Sequence, residues 1–159
     1  MGLFSASGAT VSMTAVTTDP VTFDAAGYAL LTFTEVGQIE DGGAFGDESS
    51  EVTFDSLGSG RTTKVKGQRN SGTFDLVTGL DDEDSGQALL YTAEADDSTG
   101  NYHFKVTFPN KLSSGGTDAI RYFSGKVLST RENLGTANNV VSLTATISID
   151  TPVVRVAAT

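Results

Sequence analysis

From Val140 to Asp150 the chain reads as a strand in which two kinds of side chain alternate: Val141, Leu143, Ala145, Ile147 and Ile149, separated by Ser142, Thr144, Thr146 and Ser148. A two-residue repeat fits an amphipathic strand, whereas a helix would scatter these residues around its circumference. One apolar face and one polar face place the strand in an antiparallel sheet rather than in a parallel sheet buried on both sides. Tyr102 to Phe108 repeats the pattern, with Tyr102, Phe104, Val106 and Phe108 in one phase, His103, Lys105 and Thr107 in the other, and Pro109 as terminator.

Further strands follow from the same rule. Arg61–Gln68 and Thr73–Thr78 read as a hairpin turning through Arg69-Asn70-Ser71-Gly72, with Phe74 and Leu76 facing inward. In Ala119–Ser129 the apolar phase switches between Tyr122 and Phe123, which predicts a bulge near Ser124-Gly125. Val11–Val16, Ala29–Thr34 and Glu51–Phe54 are shorter candidates. One helix interrupts the strands: Asp84 followed by Gln87 is a capping box, and Leu89, Leu90 and Ala93 form its apolar stripe. Gly37–Ser50, with four glycines and four acids, reads as a long mobile acidic loop. The expectation is a mainly β chain, an antiparallel β-sandwich or barrel flanked by one short α-helix.

Composition narrows what such a domain can do. The 159 residues fit a single domain over 1–159 and include no cysteine, which excludes disulfide scaffolds, zinc ribbons and thiol nucleophiles. Ten basic against 20 acidic residues leave a net charge of −10, which disfavours tight binding to a phosphate backbone, because such binding runs on released counterions. The start has no basic, apolar leader, and no run approaches the roughly 20 apolar residues of a membrane span, so synthesis in the cytoplasm and no membrane partner are expected.

A search for catalytic chemistry finds little. His103 is the sole histidine and falls on the polar side of its strand, where it reads as an exposed surface residue. No G-x-S-x-G elbow is present. Gly58–Lys64 lacks the ending of a phosphate loop and precedes a strand, and Asp81–Gly86 is out of register for a calcium loop and reads as helix-capping acids. No catalytic residue, cofactor or metal site is expected, and the chain is not read as an enzyme.

Several short motifs occur in a telling order: Gly67-Gln68 before Ser71-Gly72; Gly86-Gln87-Ala88-Leu89-Leu90; Phe104-Lys105-Val106-Thr107-Phe108-Pro109-Asn110; Arg121-Tyr122-Phe123-Ser124-Gly125-Lys126-Val127-Leu128-Ser129; and a Thr-rich strand ending near Pro152. In order and spacing this part of the chain resembles the major tail tube protein of lambda-like siphoviruses. The resemblance implies the phage tail tube fold, with a variable N-terminal segment over about residues 1–28. It implies a structural virion protein whose hexameric rings stack into a hollow tube that conducts phage DNA into the host cell. Its partners would be further copies of itself, the tape measure protein, the tail terminator and the distal tail initiator proteins. DNA would pass through the lumen without specific binding. The acidic loop would help one ring grip the next, through Asp41, Phe45, Asp47, Glu48 and Glu51, while Asp75 would face the lumen and repel phosphate. Two rival readings are a type VI secretion-like tube protein and a non-catalytic β-sandwich adhesion module.

Overall fold

The computed structural model describes residues 2–159. Ten strands and two helices follow one another as β1 (Thr10–Thr14), α1 (Ala25–Ala29), β2 (Phe33–Val36), β3 (Ile39–Asp41), β4 (Glu48–Asp55), β5 (Thr62–Asn70), β6 (Thr73–Gly79), α2 (Ser85–Ala95), β7 (Tyr102–Thr107), β8 (Ile120–Asn133), β9 (Ser142–Ile149) and β10 (Val154–Val156). Eight strands form one antiparallel sheet in the order β2-β1-β7-β8-β9-β6-β3, with β10 also paired to β8. β4 and β5 form a separate two-stranded ribbon.

The sheet is rolled. β2 and β3 stand at opposite ends of the strand order, yet only Gly37 and Gln38 join them. Three peptide steps reach at most about 11 Å, so the end of β2 and the start of β3 must lie close together. Gln38 turns the corner at φ 58°, in the left-handed region. The resulting barrel wall encloses Phe74, Leu76, Phe104, Phe123, Leu143, Ala145 and Ile147, all buried. β9 is the period-two strand expected from the sequence, its buried and half-buried residues alternating from end to end.

Helix α2 fastens the seam. The Asp84 carboxylate accepts from the backbone N–H of Gln87, capping the helix, and from the N–H of Gly37 in the seam. Gln87 completes only part of the expected box. Its side chain is buried, donates to the carbonyls of Gly37 and Gly79, and accepts from the N–H of Asp81. At Gly86 the helix touches β2 so closely that a β-carbon would stand 2.2 Å from the Glu35 carbonyl oxygen.

Five expectations are corrected. β5 and β6 are not a hairpin: β5 pairs with β4, while β6 pairs with β9 and β3. The turn at Asn70–Gly72 therefore links ribbon to barrel. Of the expected strand Ala29–Thr34 only Phe33 and Thr34 are strand, because α1, capped by Asp24, extends to Ala29 and β2 runs from Phe33 to Val36; two helices flank the barrel instead of one. The bulge in β8 lies at Leu128, where the register with β9 shifts between Val127 and Ser129. Gly125 lies instead where β8 passes from β7 to β9, and a β-carbon there would meet the Ser148 carbonyl at 2.2 Å. Gly37–Ser50 is not an unpatterned loop, since it holds β3 and the first residues of β4. Finally, His103 is wholly buried.

Candidate assembly surfaces

His103 is buried because the outer face of the sheet is itself covered. Residues 15–31 cross it as a strap that carries α1, and Tyr28 of the strap stacks on Tyr122 with ring centroids 5.2 Å apart. His103 Nε2 lies 2.9 Å from the Thr18 carbonyl, which can only accept, so Nε2 bears the proton and Nδ1 accepts from the Ser124 hydroxyl at 2.6 Å. The Tyr28 hydroxyl in turn donates to Ser124 Oγ at 2.7 Å. Burial depresses the imidazole pKa below its usual 6.5, against smaller raising influences from the Thr18 carbonyl and the Asp19 carboxylate. Asp19 Oδ1 stands 3.9 Å from Nε2. Ser124, His103 and Asp19 are the residue types of a nucleophilic relay, but the Ser124 and His103 side chains are fully enclosed. Their hydrogen bonds fasten the strap to β7 and β8.

The ribbon β4–β5 is the exposed counterpart of this interior. Neither of its strands joins the barrel sheet. Direct partners across an antiparallel pair share a face, so the register Val52↔Val65 and Phe54↔Thr63 sets Val52, Phe54 and Val65 on one side. Glu51↔Lys66 and Thr53↔Lys64 set the charged residues on the other, where Lys64 pairs with Glu51 at 3.6 Å. Val52, Phe54 and Val65 are all more than half exposed, and Leu57 at the tip is fully so. A two-stranded ribbon is marginal in water by itself. Covering these four side chains would contribute on the order of 1–2 kcal/mol each. The arm thus has the composition of an interface without its partner. The sequence hinted at it only through Val52, Phe54 and Val65, because which strand pairs with β5 is a tertiary matter.

The residues expected at contacts are scattered around this arm. Glu48 and Glu51 lie on β4, and Asp47 precedes its root, where it accepts from the Ser71 hydroxyl. Asp41 ends β3, and its carboxylate accepts from Gly43 N–H. Phe45 is half-buried and engaged within the subunit, its ring 5.3 Å from Phe74 and 5.6 Å from Phe123. Asp75 is exposed on β6 and accepts from the Thr146 hydroxyl at 3.0 Å. Among the described residues no group of three or more His, Asp or Glu is placed to hold a metal ion, and no helix is long and apolar enough to cross a membrane.

No protein-family model and no curated protein matches the sequence. Solved structures do match it along its whole length. A chain in the baseplate of the anti-feeding prophage aligns over 99% of this chain and 97% of its own, with a TM-score of 0.72 and 12% identity. The two chains share a fold. A chain from the sheath/tube terminator of the extracellular contractile injection system PVC matches over 99% of both chains, with a TM-score of 0.68 and 13% identity. One from the extended sheath-tube complex of that system matches over 94% of this chain and 88% of its own, with a TM-score of 0.58 and 14% identity. The helix-flanked antiparallel barrel expected from the sequence is therefore a fold that this chain shares with chains of such assemblies.

Proposed function

We propose that this protein is the repeating subunit of the tube of a phage-like injection apparatus, built from copies of itself and joined by other components of the particle. Fold alone leaves function open. The observation that carries the proposal is the β4–β5 arm, which stands off that fold with an apolar face turned to water. An exposed apolar strand pair in a soluble subunit is a liability unless a partner covers it. Closed rings with stacked contacts would cover one in every copy.

Two of the matching structures come from a contractile injection system, which supports a secretion-like tube over the lambda-like tail. The ordered motifs from Gly67 to Pro152 favour the siphovirus tail tube as the second reading. Both give the subunit the same task and differ in cargo, protein or DNA. In either, the surplus of acids would line the conduit in part, with Asp75 as the named lumen residue, and Asp41, Asp47, Glu48 and Glu51 would lie near the junction between rings.

Sedimentation and negative-stain microscopy of the purified protein, dilute and concentrated, test the proposal. Annuli and stacked cylinders are the expected result. Material that stays monomeric at every concentration, with and without the other particle components, would refute it.

A further inference from the structure

Three neighbouring strands bring together a lysine, an asparagine and an aspartate. Lys126 stands on β8, Asn101 immediately precedes β7, and Asp150 immediately follows β9. The register Tyr102↔Gly125 sets Asn101 opposite Lys126, and the N–H of Asp150 donates to the Ser124 carbonyl of the same stretch at 2.8 Å. Lys126 Nζ lies 2.5 Å from Asn101 Oδ1. Asn101 Nδ2 donates to Asp150 Oδ2 at 2.9 Å, and that carboxylate oxygen stands 3.9 Å from Nζ. An ammonium only donates and a carboxylate only accepts, so the orientation of the carboxamide is fixed from both sides.

An ordinary surface ion pair sets the amine directly against the carboxylate, as Lys64 and Glu51 do on the arm. At Lys126 a carboxamide is interposed. Because a C=O bond is about 1.23 Å long, Nζ lies at most about 3.7 Å from Asn101 Cγ, close to the separation from which a held nucleophile attacks. Both residues are half-buried, and each has a buried neighbour, Tyr102 beside Asn101 and Val127 beside Lys126. The barrel therefore holds the two backbones in place while the side chains meet.

We propose that Lys126 and Asn101 are the precursors of an intramolecular isopeptide bond, with Asp150 as the proton carrier. Lys126, as the free amine, attacks Asn101 Cγ and the Nζ–Cγ bond forms. A proton passes from Nζ through the Asp150 carboxylate to Nδ2, the Cγ–Nδ2 bond breaks, and ammonia leaves. Counted from the resting charges, one ammonium and one carboxamide become one amide and one ammonium ion. No oxidant, reductant or cofactor is consumed. The bond closes a covalent loop from Asn101 to Lys126, in a chain that has no cysteine with which to make a disulfide. Such a loop restricts the unfolded chain as a disulfide does. It forms within a single subunit, whether or not subunits assemble.

Intact-mass measurement of the purified full chain, fresh and after incubation at pH 7 and pH 9, tests the bond. Only a free amine is nucleophilic, so conversion is expected to be faster at pH 9. Converted protein is lighter by about 17 Da, the mass of one ammonia. Trypsin does not cut at a lysine acylated on Nζ, so its digest should contain one branched peptide in which residues 70–105 are joined to residues 122–131. Lys126→Arg keeps the positive charge and should retain its full mass. Asp150→Asn should convert at least about a hundredfold more slowly. Melting temperatures confirm that both variants fold. A wild type that keeps its full mass at both pH values overturns the proposal. So does a loss of ammonia that persists in Lys126→Arg, or one without the branched peptide, since either comes from another amide. Conversion of Asp150→Asn at the wild-type rate overturns the proton route.

Discussion

Gln87 is a small residue count with a large reach. Its carboxamide serves three backbone groups in the β2–β3 seam and the turn before α2, and a leucine of similar size would serve none. An orphaned buried group costs about 1–3 kcal/mol and these three are only half-buried, so each sits at the low end of that range and Gln87→Leu is expected to destabilise the subunit by about 3 kcal/mol, read as a lower chemical-denaturation midpoint. The motif around it was legible in the sequence as a cap, but its second task was not, because Gly37 lies 50 residues away and nothing local announces the contact. His103 teaches the same lesson on the other face. Its strand phase was read correctly, yet that face is covered by an irregular strap without a period of its own.

His103 also makes stability depend on pH. Its folded pKa is depressed, so the unfolded chain takes up a proton at a higher pH than the native one. The contribution is complete above 6.5 and is lost as pH falls through and below that value. Thermal unfolding of the wild type between pH 8 and pH 5 should show a falling midpoint, and His103→Gln should show a flatter profile over the same interval. Parallel profiles for the two proteins would show that the imidazole does not titrate on unfolding.

At the scale of elements, the arm separates folding from association. Phe54 and Val52 contact solvent rather than the barrel, so Phe54→Ser with Val52→Ser should leave the melting temperature of the isolated subunit within a few degrees of wild type. The same double variant should fail to build cylinders under the microscope. Assembly at wild-type concentrations would show that this face lies outside the contacts. Phe45 behaves in the opposite way. Its ring is in the aromatic group of Phe74, Phe108 and Phe123, and Phe45→Ala should cost the subunit about 2–4 kcal/mol, measured by denaturant titration. Strands with strict alternation, β9 and β7, could be read from the chain with their inward faces. The partnership of β5 could not, because the Asn70–Gly72 turn signal is equally good for a hairpin and for a junction between two layers.

For the whole molecule, the seam explains how the rolled sheet avoids offering long edges. β2 and β3 are short, four and three residues, and a helix cap ties them together. Short edges discourage indiscriminate pairing while leaving specific neighbours room to add strands. If Asp75 faces the conduit of an assembled tube, Asp75→Lys should leave tube length unchanged and slow the passage of a polyanionic cargo, measured as ejection rate. Equal rates would move Asp75 to the outer wall.

The order in which these parts leave the ribosome gives the arm a further meaning. β4 and β5 are complete by residue 70, whereas β6 must wait for β9, and β1 for β7. A growing chain therefore displays its hook well before it possesses a finished body. Neighbouring nascent chains on one message are crowded together, and a hook that gripped any apolar surface would tangle them. The charged face of that hook, with Glu51, Lys64 and Lys66, keeps half of its surface compatible with water during that interval.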